Sequence, residues 1–264
     1  MANFLITLIP LLASLAATAR SQTSSFYYDF YGTKPSDLTY QGDAHFPSDT
    51  TYLRLTKTDD SGQPAKSSAG RAVHTNPIQF WQSGAQVDLE TTIKFLIRQV
   101  DNDPADGIAF FIAPIGTTIG STGNSFGVYD SNGKKPGVFS VQFDIYANKD
   151  KGDPDGRHIG IDIESSNSVN TTIVGDAIVG QEVTALIGYK KATKMITVKV
   201  TAGGKTFEVS YEKDLSTILD QQVQVGLSAA TGGQVAFHEI ISWYFTATLV
   251  YTGAEEDVKI RQFV

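Results

Sequence analysis

What most restricts the fold of this chain is the rhythm of its turn residues. Short alternating or apolar runs are separated again and again by Gly, Asn, Asp and Pro. The runs are Thr51–Thr56, Thr91–Ile97, Gly107–Ala113, Val138–Tyr146, His158–Ile163, Glu182–Tyr189, Met195–Thr201, Thr206–Tyr211, Val223–Ser228 and Ser242–Val250. Alternation with period two places one face of a strand inward and the other outward. Lys194 to Thr201, then Ala202-Gly203-Gly204-Lys205, then Thr206 to Tyr211 reads as a hairpin. Helical periodicity is nearly absent, and Leu215–Leu219 is expected to make one turn at most. No internal repeat and no linker rich in Pro, Gly or Ser divides the chain. The expectation is one all-β domain, an antiparallel sandwich or barrel.

Composition excludes several functions. Of the 264 residues, 41% are hydrophobic, which supports a core and excludes bulk disorder. Acidic residues outnumber basic ones 28 to 21, for a formal charge of -7, and no basic tract stands out. A nucleic-acid partner is therefore not expected. The absence of cysteine removes disulfides, thiol catalysis and cysteine-ligated zinc from consideration.

The first residues carry a processing signal. Phe4 to Ala17 is an apolar run, and Ala19 and Ser21 supply the small residues of a cleavage site. We expect residues 1–21 to be a signal peptide and residues 22–264 the mature domain. The run is short and interrupted by Pro10, so it is not expected to span a membrane, and no second apolar segment follows. The secretory pathway is the expected route, to an extracellular or vacuolar destination. The sequon Asn170-Thr171-Thr172 then makes Asn170 a candidate glycosylation site.

Candidate chemistry concentrates between Val141 and Asp162. Gln142 and Asp144 share one face of a strand, a loop supplies Asn148, Asp150, Asp153 and Asp155, and the next strand opens with His158. Oxygen-rich loops suit Ca²⁺, and one imidazole among carboxylates suits a transition ion such as Mn²⁺. Spacing alone leaves two readings open, a metal site and a solvated acidic turn.

This segment resembles the metal-binding signature of the legume lectins, E-x-D-[TS]-[FY]-x-N followed by D-P-x-x-x-H-I-G-I-D. The resemblance runs along the mature chain. It includes Tyr40-Gln41-Gly42-Asp43, Leu55-Thr56 through Gly62-Gln63-Pro64, and Gly70-Arg71-Ala72. It continues with Ala105-Asp106-Gly107 through Ala113-Pro114, Val225-Gly226-Leu227-Ser228 through Gly232, and Ser242-Trp243-Tyr244-Phe245. Each motif is weak alone; in order they are specific. The resemblance implies a flattened antiparallel β-sandwich, the legume-lectin jelly roll. It also implies two adjacent metals. Ca²⁺ would be held by Asp144, Asn148, Asp153 and the Tyr146 carbonyl. Mn²⁺ would be held by Asp144, Asp153 and His158, with Gln142 where the family has glutamate. A glutamine brings no charge and is a weaker ligand for a hard ion, so the Mn²⁺ site is the one in doubt.

The resemblance also implies a sugar site. Asp106, preceded by a cis peptide, would accept from two sugar hydroxyls. Asn148 would ligate the metal through its oxygen and donate its amide to the sugar. Tyr146 would face the apolar side of the ring. Asn124 stands where a glycine usually offers its backbone N–H. Gly233 and Gln234 lie in the short loop Thr231–His238, whose length resembles that of mannose/glucose-binding members. The expected function is metal-dependent carbohydrate binding of mannose/glucose type. Glycans or glycoproteins are the expected partners, with self-association into a homodimer or homotetramer. A glycoside hydrolase on a similar sandwich needs two carboxylates on one strand. The matching strand has Gln142 and Ala147 at those positions, so no enzyme is expected. The alternative is a lectin-like storage or defence protein with impaired sites. Gln142, Asn124 and Asp220-Gln221-Gln222-Val223, where the family usually has P-E-W-V, favour it.

Overall fold

The computed structural model describes residues 22–48 and 51–251. The expected signal peptide lies outside the described residues. Strands, numbered in chain order, form two sheets. The first sheet runs β1 (Thr23–Asp29), β16 (Ala236–Tyr251), β7 (Ala85–Gln99), β12 (Glu182–Lys190), β13 (Met195–Ala202), β14 (Lys205–Glu212). Two short strands join it, β3 (Leu53–Arg54) on β16 and β6 (Trp81–Gln82) on β7. The second sheet runs β11 (Asn170–Ile173), β10 (His158–Ser165), β9 (Lys134–Asp144), β8 (Gly107–Pro114), β15 (Gln222–Ala230), β4 (Ala69–His74), β2 (Leu38–Gly42). The short β5 (Ile78–Gln79) pairs with β15. Pairing between these strands is antiparallel throughout.

The two sheets face each other across the main core, and alternation decides which residues meet. On β7, Val87, Leu89, Thr91, Ile93, Phe95 and Ile97 are buried, while the residues alternating with them are partly or fully exposed. On β9, Phe139, Val141 and Phe143 turn to the same core. The layers touch at Phe95 and Phe143, whose ring centroids lie 4.8 Å apart. Truncating Phe95 to alanine there would cost roughly 3–5 kcal/mol. The turn of the β13–β14 hairpin is Gly203-Gly204, both residues at positive φ (55° and 72°), as a two-residue turn of the primed type requires.

The second sheet is covered on both faces. Ala109, Phe111 and Ala113 of β8 turn away from the main core and pack with Val73, Phe126, Val128, Tyr129 and Val138 in a smaller cluster. This is why Gly107–Pro114 is apolar without alternation: residues on both of its faces are buried. Between residues 114 and 134 the chain folds over this face, and it carries one wall of the site described next.

Candidate functional site

The outer face of β9 and β10 carries a polar column beside the smaller cluster. Their register sets Asp144 opposite His158, Gln142 opposite Gly160, and Ser140 opposite Asp162. Period two puts Ser140, Gln142 and Asp144 on one face, and all three are buried, as are His158 and Asp162. Gly160 has to be a glycine. A Cβ there would lie 2.0 Å from Ser168 Oγ and 2.9 Å from Gln142 Nε2.

The loop after β9 folds back on these strands through its own carboxylates. Asp144 Oδ1 accepts the Tyr146 N–H at 2.7 Å, and Asp153 Oδ2 accepts the Asn148 N–H at 2.7 Å. Ligand atoms of Asp144, Asp153 and His158 all lie within 4.8 Å of one another. Burial, then the neighbouring Asp153, holds the Asp144 carboxyl well above the usual range. Burial raises Asp153 as well and lowers His158. Among the described residues, the lysine and arginine ion pairs form elsewhere. A buried carboxylate, Asp144, set beside the half-buried Asp153 without a lysine or arginine partner is costly unless a cation or protons neutralise the pair. Asn148 Oδ1 is also buried with no hydrogen-bond partner. An oxygen without a donor beside two carboxylates is the donor set of a hard cation.

Three loops converge above this cluster. Asp106, 4% exposed, follows a cis Ala105–Asp106 peptide bond. Its carbonyl accepts the Ile145 N–H at 2.9 Å, which ties it to the strand end that carries the metal loop. Its N–H donates to Ala230 O at 3.1 Å. Burial pushes the Asp106 carboxyl up to about 7, against the lowering effect of a hydrogen bond from the Gly232 N–H. Asn124 sits in the single 3₁₀ turn Gly123–Ser125, and the Gly123 N–H reaches Thr231 O at 3.3 Å. Gly232 closes the group, since a Cβ there would meet Asp106 Oδ2 at 3.1 Å and Gly123 Cα at 3.4 Å. Asp106 Oδ2 is buried without a partner. Asp106, Gly123-Asn124 and Gly232 therefore form one cluster, joined to the Asp144–Asn148 loop through Ile145.

Other candidates stand apart from this cluster. Gly233 is exposed with open space around it. The Gln234 amide is turned to Asp103 Oδ2 at 3.2 Å. Asn170 is exposed on β11 and donates from Nδ2 to Ser210 O at 2.8 Å. The sequence reading missed Asp103, Gly232, and the chain linking Tyr129, Ser140, Asp162 and Ser168 to Gln142. Alternation from Gln142 back to Ser140, and from His158 on to Asp162, was the available signal.

Fold and site together define a binding protein. The strand that would carry a hydrolytic pair has Gln142 instead of one acid and leads to Ala147 instead of the other. A family model described as "Legume lectin domain" matches residues 23–260. The chain belongs to the legume lectin family, whose members bind carbohydrate without catalysis. It is 38% identical to Agglutinin-2 of Cladrastis kentukea over 274 residues, covering 98% of this chain and 94% of that one. It is 34% identical to the mannose/glucose-specific lectin of Centrolobium tomentosum, covering 89% of this chain and 100% of that one. Among solved structures it superposes on winged bean acidic lectin complexed with methyl-α-D-galactose. The TM-score is 0.80 at 34% identity, covering 87% of this chain and 100% of that one. Sugar specificity thus varies among relatives of similar identity. Legume lectins typically bind metals and travel the secretory pathway. Among the described residues, no helix is long and apolar enough to cross a membrane.

Proposed function

We propose that this chain is a calcium-dependent lectin of mannose/glucose type. The observation that carries the reading is that Asp106 Oδ2 and Asn148 Oδ1, on the two sides of the Ile145 link, are both buried without a hydrogen-bond partner. Asn148 Oδ1, with Asp144, Asp153 and the Tyr146 carbonyl, would hold Ca²⁺. Bound there, the ion neutralises the buried Asp144 and half-buried Asp153 carboxylates and fixes the Asn148 amide with its N–H groups free for a ligand. Asp106 Oδ2 would accept a sugar hydroxyl, and the backbone at Asn124 and the Gly233-Gln234 edge would add donors. Tyr146, half-buried beside them, would take the apolar face of the ring. The loop is shorter than the Thr231–His238 read from the sequence, since Ala236–His238 belong to β16; its shortness and the named specificity of the Centrolobium relative support mannose/glucose.

The second ion, Mn²⁺ on Asp144, Asp153 and His158, depends on Gln142 and is taken up below. The proposed domain spans residues 22–264 after removal of a signal peptide, with a glycan on Asn170. Among the described residues β1 pairs with β16 alone, and that edge supports self-association into a homodimer or homotetramer for multivalent glycan binding. A storage or defence protein that has lost sugar binding is the second reading, and Gln142 is the residue that favours it.

The test is calorimetric titration of methyl α-mannoside into the calcium-loaded protein and again after chelation. Saturable binding that disappears on chelation is expected. No binding of mannoside or galactoside in either state would leave the second reading.

A further inference from the structure

The Gln142 side chain has a defined job in this fold, and it competes with metal ligation. Its Nε2 lies 2.8 Å from Ser168 Oγ and 3.3 Å from His158 Nε2. Ser168 Oγ passes its own proton to Asp162 Oδ1 at 2.6 Å, and Ser140 Oγ donates to Asp162 Oδ2 at 2.9 Å. With Ser168 donating to Asp162 Oδ1, and any proton on that carboxyl carried on Oδ2 toward Ser140, Ser168 accepts from Gln142 Nε2 and the amide presents its nitrogen to it. On the other side, His158 Nδ1 lies 3.2 Å from Gly156 O. A carbonyl can only accept, so Nδ1 carries the imidazole proton and Nε2 presents a lone pair. That lone pair faces an N–H of the Gln142 amide. It is the same lone pair that a metal ion on His158 would use.

Turning the amide over to offer Oε1 to such an ion would break both contacts and set Oε1 against Ser168, whose proton is already given to Asp162. A carboxamide oxygen would also bring no charge. Two dications would then share only the Asp144 and Asp153 carboxylates, formal charge +4 against -2. The all-oxygen group of Asp144, Asn148 and Asp153 meets no such obstacle. It needs neither His158 nor Gln142; Asn148 Oδ1 is buried without a donor, as is Gln142 Oε1, but the atom of Gln142 within reach of His158 Nε2 is its nitrogen.

We propose that this chain builds its binding site on one cation, a calcium ion held by Asp144, Asn148 and Asp153, and that the Gln142 amide holds His158 as a structural hydrogen-bond partner in place of a second, transition-metal ion. The inference rests on the calcium site proposed above and not on the identity of the sugar.

The experiment counts metal. Purified protein is stripped with chelator, dialysed, and titrated with Ca²⁺ and with Mn²⁺. Bound ions are measured by elemental analysis, and bound Mn²⁺ by its electron paramagnetic resonance signal. One Ca²⁺ per chain is expected, and no Mn²⁺ held alongside it. Gln142→Glu, which supplies a carboxylate to the His158 position, should gain one Mn²⁺ per chain. Its Mn²⁺ affinity should exceed that of the parent by on the order of 100-fold, the upper end of what outer-sphere changes alone cost. If that variant does not fold, the titration of the parent decides. One Ca²⁺ and one Mn²⁺ bound together by the parent would overturn the proposal, and so would failure to bind Ca²⁺. A chain that holds one Ca²⁺ and no sugar would retire the lectin reading and leave this one standing.

Discussion

The Gly232 backbone N–H hydrogen-bonds the Asp106 carboxylate, and a Cβ on Gly232 would stand 3.1 Å from Asp106 Oδ2. Backbone and side chain are thus packed so closely that position 232 controls where the carboxylate points. Its neighbour Gly233 has nothing within 4 Å of its own Cβ position. Neither residue sits at positive φ, so alanine is conformationally tolerated at both. Gly232→Ala should displace Asp106 by a few tenths of an ångström and weaken sugar binding by roughly tenfold, the worth of one charge-assisted hydrogen bond. Gly233→Ala should leave affinity within about a factor of two. Calorimetry on the two variants side by side checks this; equal affinities would remove Asp106 from the sugar site.

Asn148 is assigned two duties, and two substitutions separate them. Asn148→Ala removes a buried oxygen that has no donor, so the metal-free protein should lose less than about 1 kcal/mol of stability. Calcium affinity should fall at least roughly tenfold, and sugar binding with it. Asn148→Asp keeps an oxygen for the cation and deletes the amide N–H. It should retain calcium and lose sugar affinity by about tenfold or more. Calcium counts by elemental analysis and sugar titrations, run on both variants, distinguish the two duties.

The strands whose alternation is clean were legible, and those whose identity comes from tertiary pairing were not. β12 and β13 lie at the edges expected to within a residue, because one face is buried and the other wet along their whole length. β4, Ala-Gly-Arg-Ala-Val-His, has too few β-branched residues to announce itself, and it is a strand because β2 and β15 flank it. The run Thr51–Thr56 pairs only at Leu53–Arg54, where the long strand β16 bulges between Ile240 and Ser242. At the site, alternation and motif group Asp144, Asp153 and His158 in the sequence, and in the structure they do meet. Gly232 was not legible. Its role is a close approach to Asp106, a residue more than a hundred positions away, and nothing in the local pattern of glycines distinguishes it from Gly233. The family's P-E-W-V is Asp220-Gln221-Gln222-Val223 here, yet that corner keeps an aromatic cover. The Trp81 indole donates to Leu219 O at 2.8 Å.

The buried carboxylates give the metal-free protein a pH dependence whose sign follows from their shifts. Burial pushes Asp162 up to about 8 even though Ser168 and Ser140 donate to it, and Asp106 up to about 7. Both are raised above their unfolded value of about 3.9, so the folded chain binds more protons than the unfolded one in that range. Buried His158, His74 and His238 are shifted down and act in the opposite sense, but only below the unfolded histidine value of about 6.5. Above it the carboxylates act alone. In the presence of chelator, stability should therefore fall between pH 6.5 and 8, by about 2 kcal/mol from Asp162 if fully expressed. Denaturant titrations at the two pH values check it, and Asp162→Asn should flatten the slope. A metal-free protein that gains stability over that interval would contradict the upward shift of Asp162 and Asp106 on burial.

The second open edge of the first sheet is closed by side chains from the other sheet. Asn170 Nδ2 donates to Ser210 O at 2.8 Å, and Thr172 Oγ1 donates to Glu208 O at 2.8 Å, so β11 caps two carbonyls along β14. Both residues belong to the sequon, and a glycan on Asn170 would stand over the same edge while one N–H of the amide remains to donate. An uncovered edge strand invites pairing with another chain. Thr172→Val removes the hydroxyl and the sequon together, whereas Thr172→Ser keeps both. The valine variant should lose its glycosidase-sensitive mobility shift, lose about 1 kcal/mol of stability, and associate further with concentration. The serine variant should behave as the parent in all three respects. Sedimentation of the two variants over a range of concentrations tests the edge, and identical behaviour would show that β14 needs no cover.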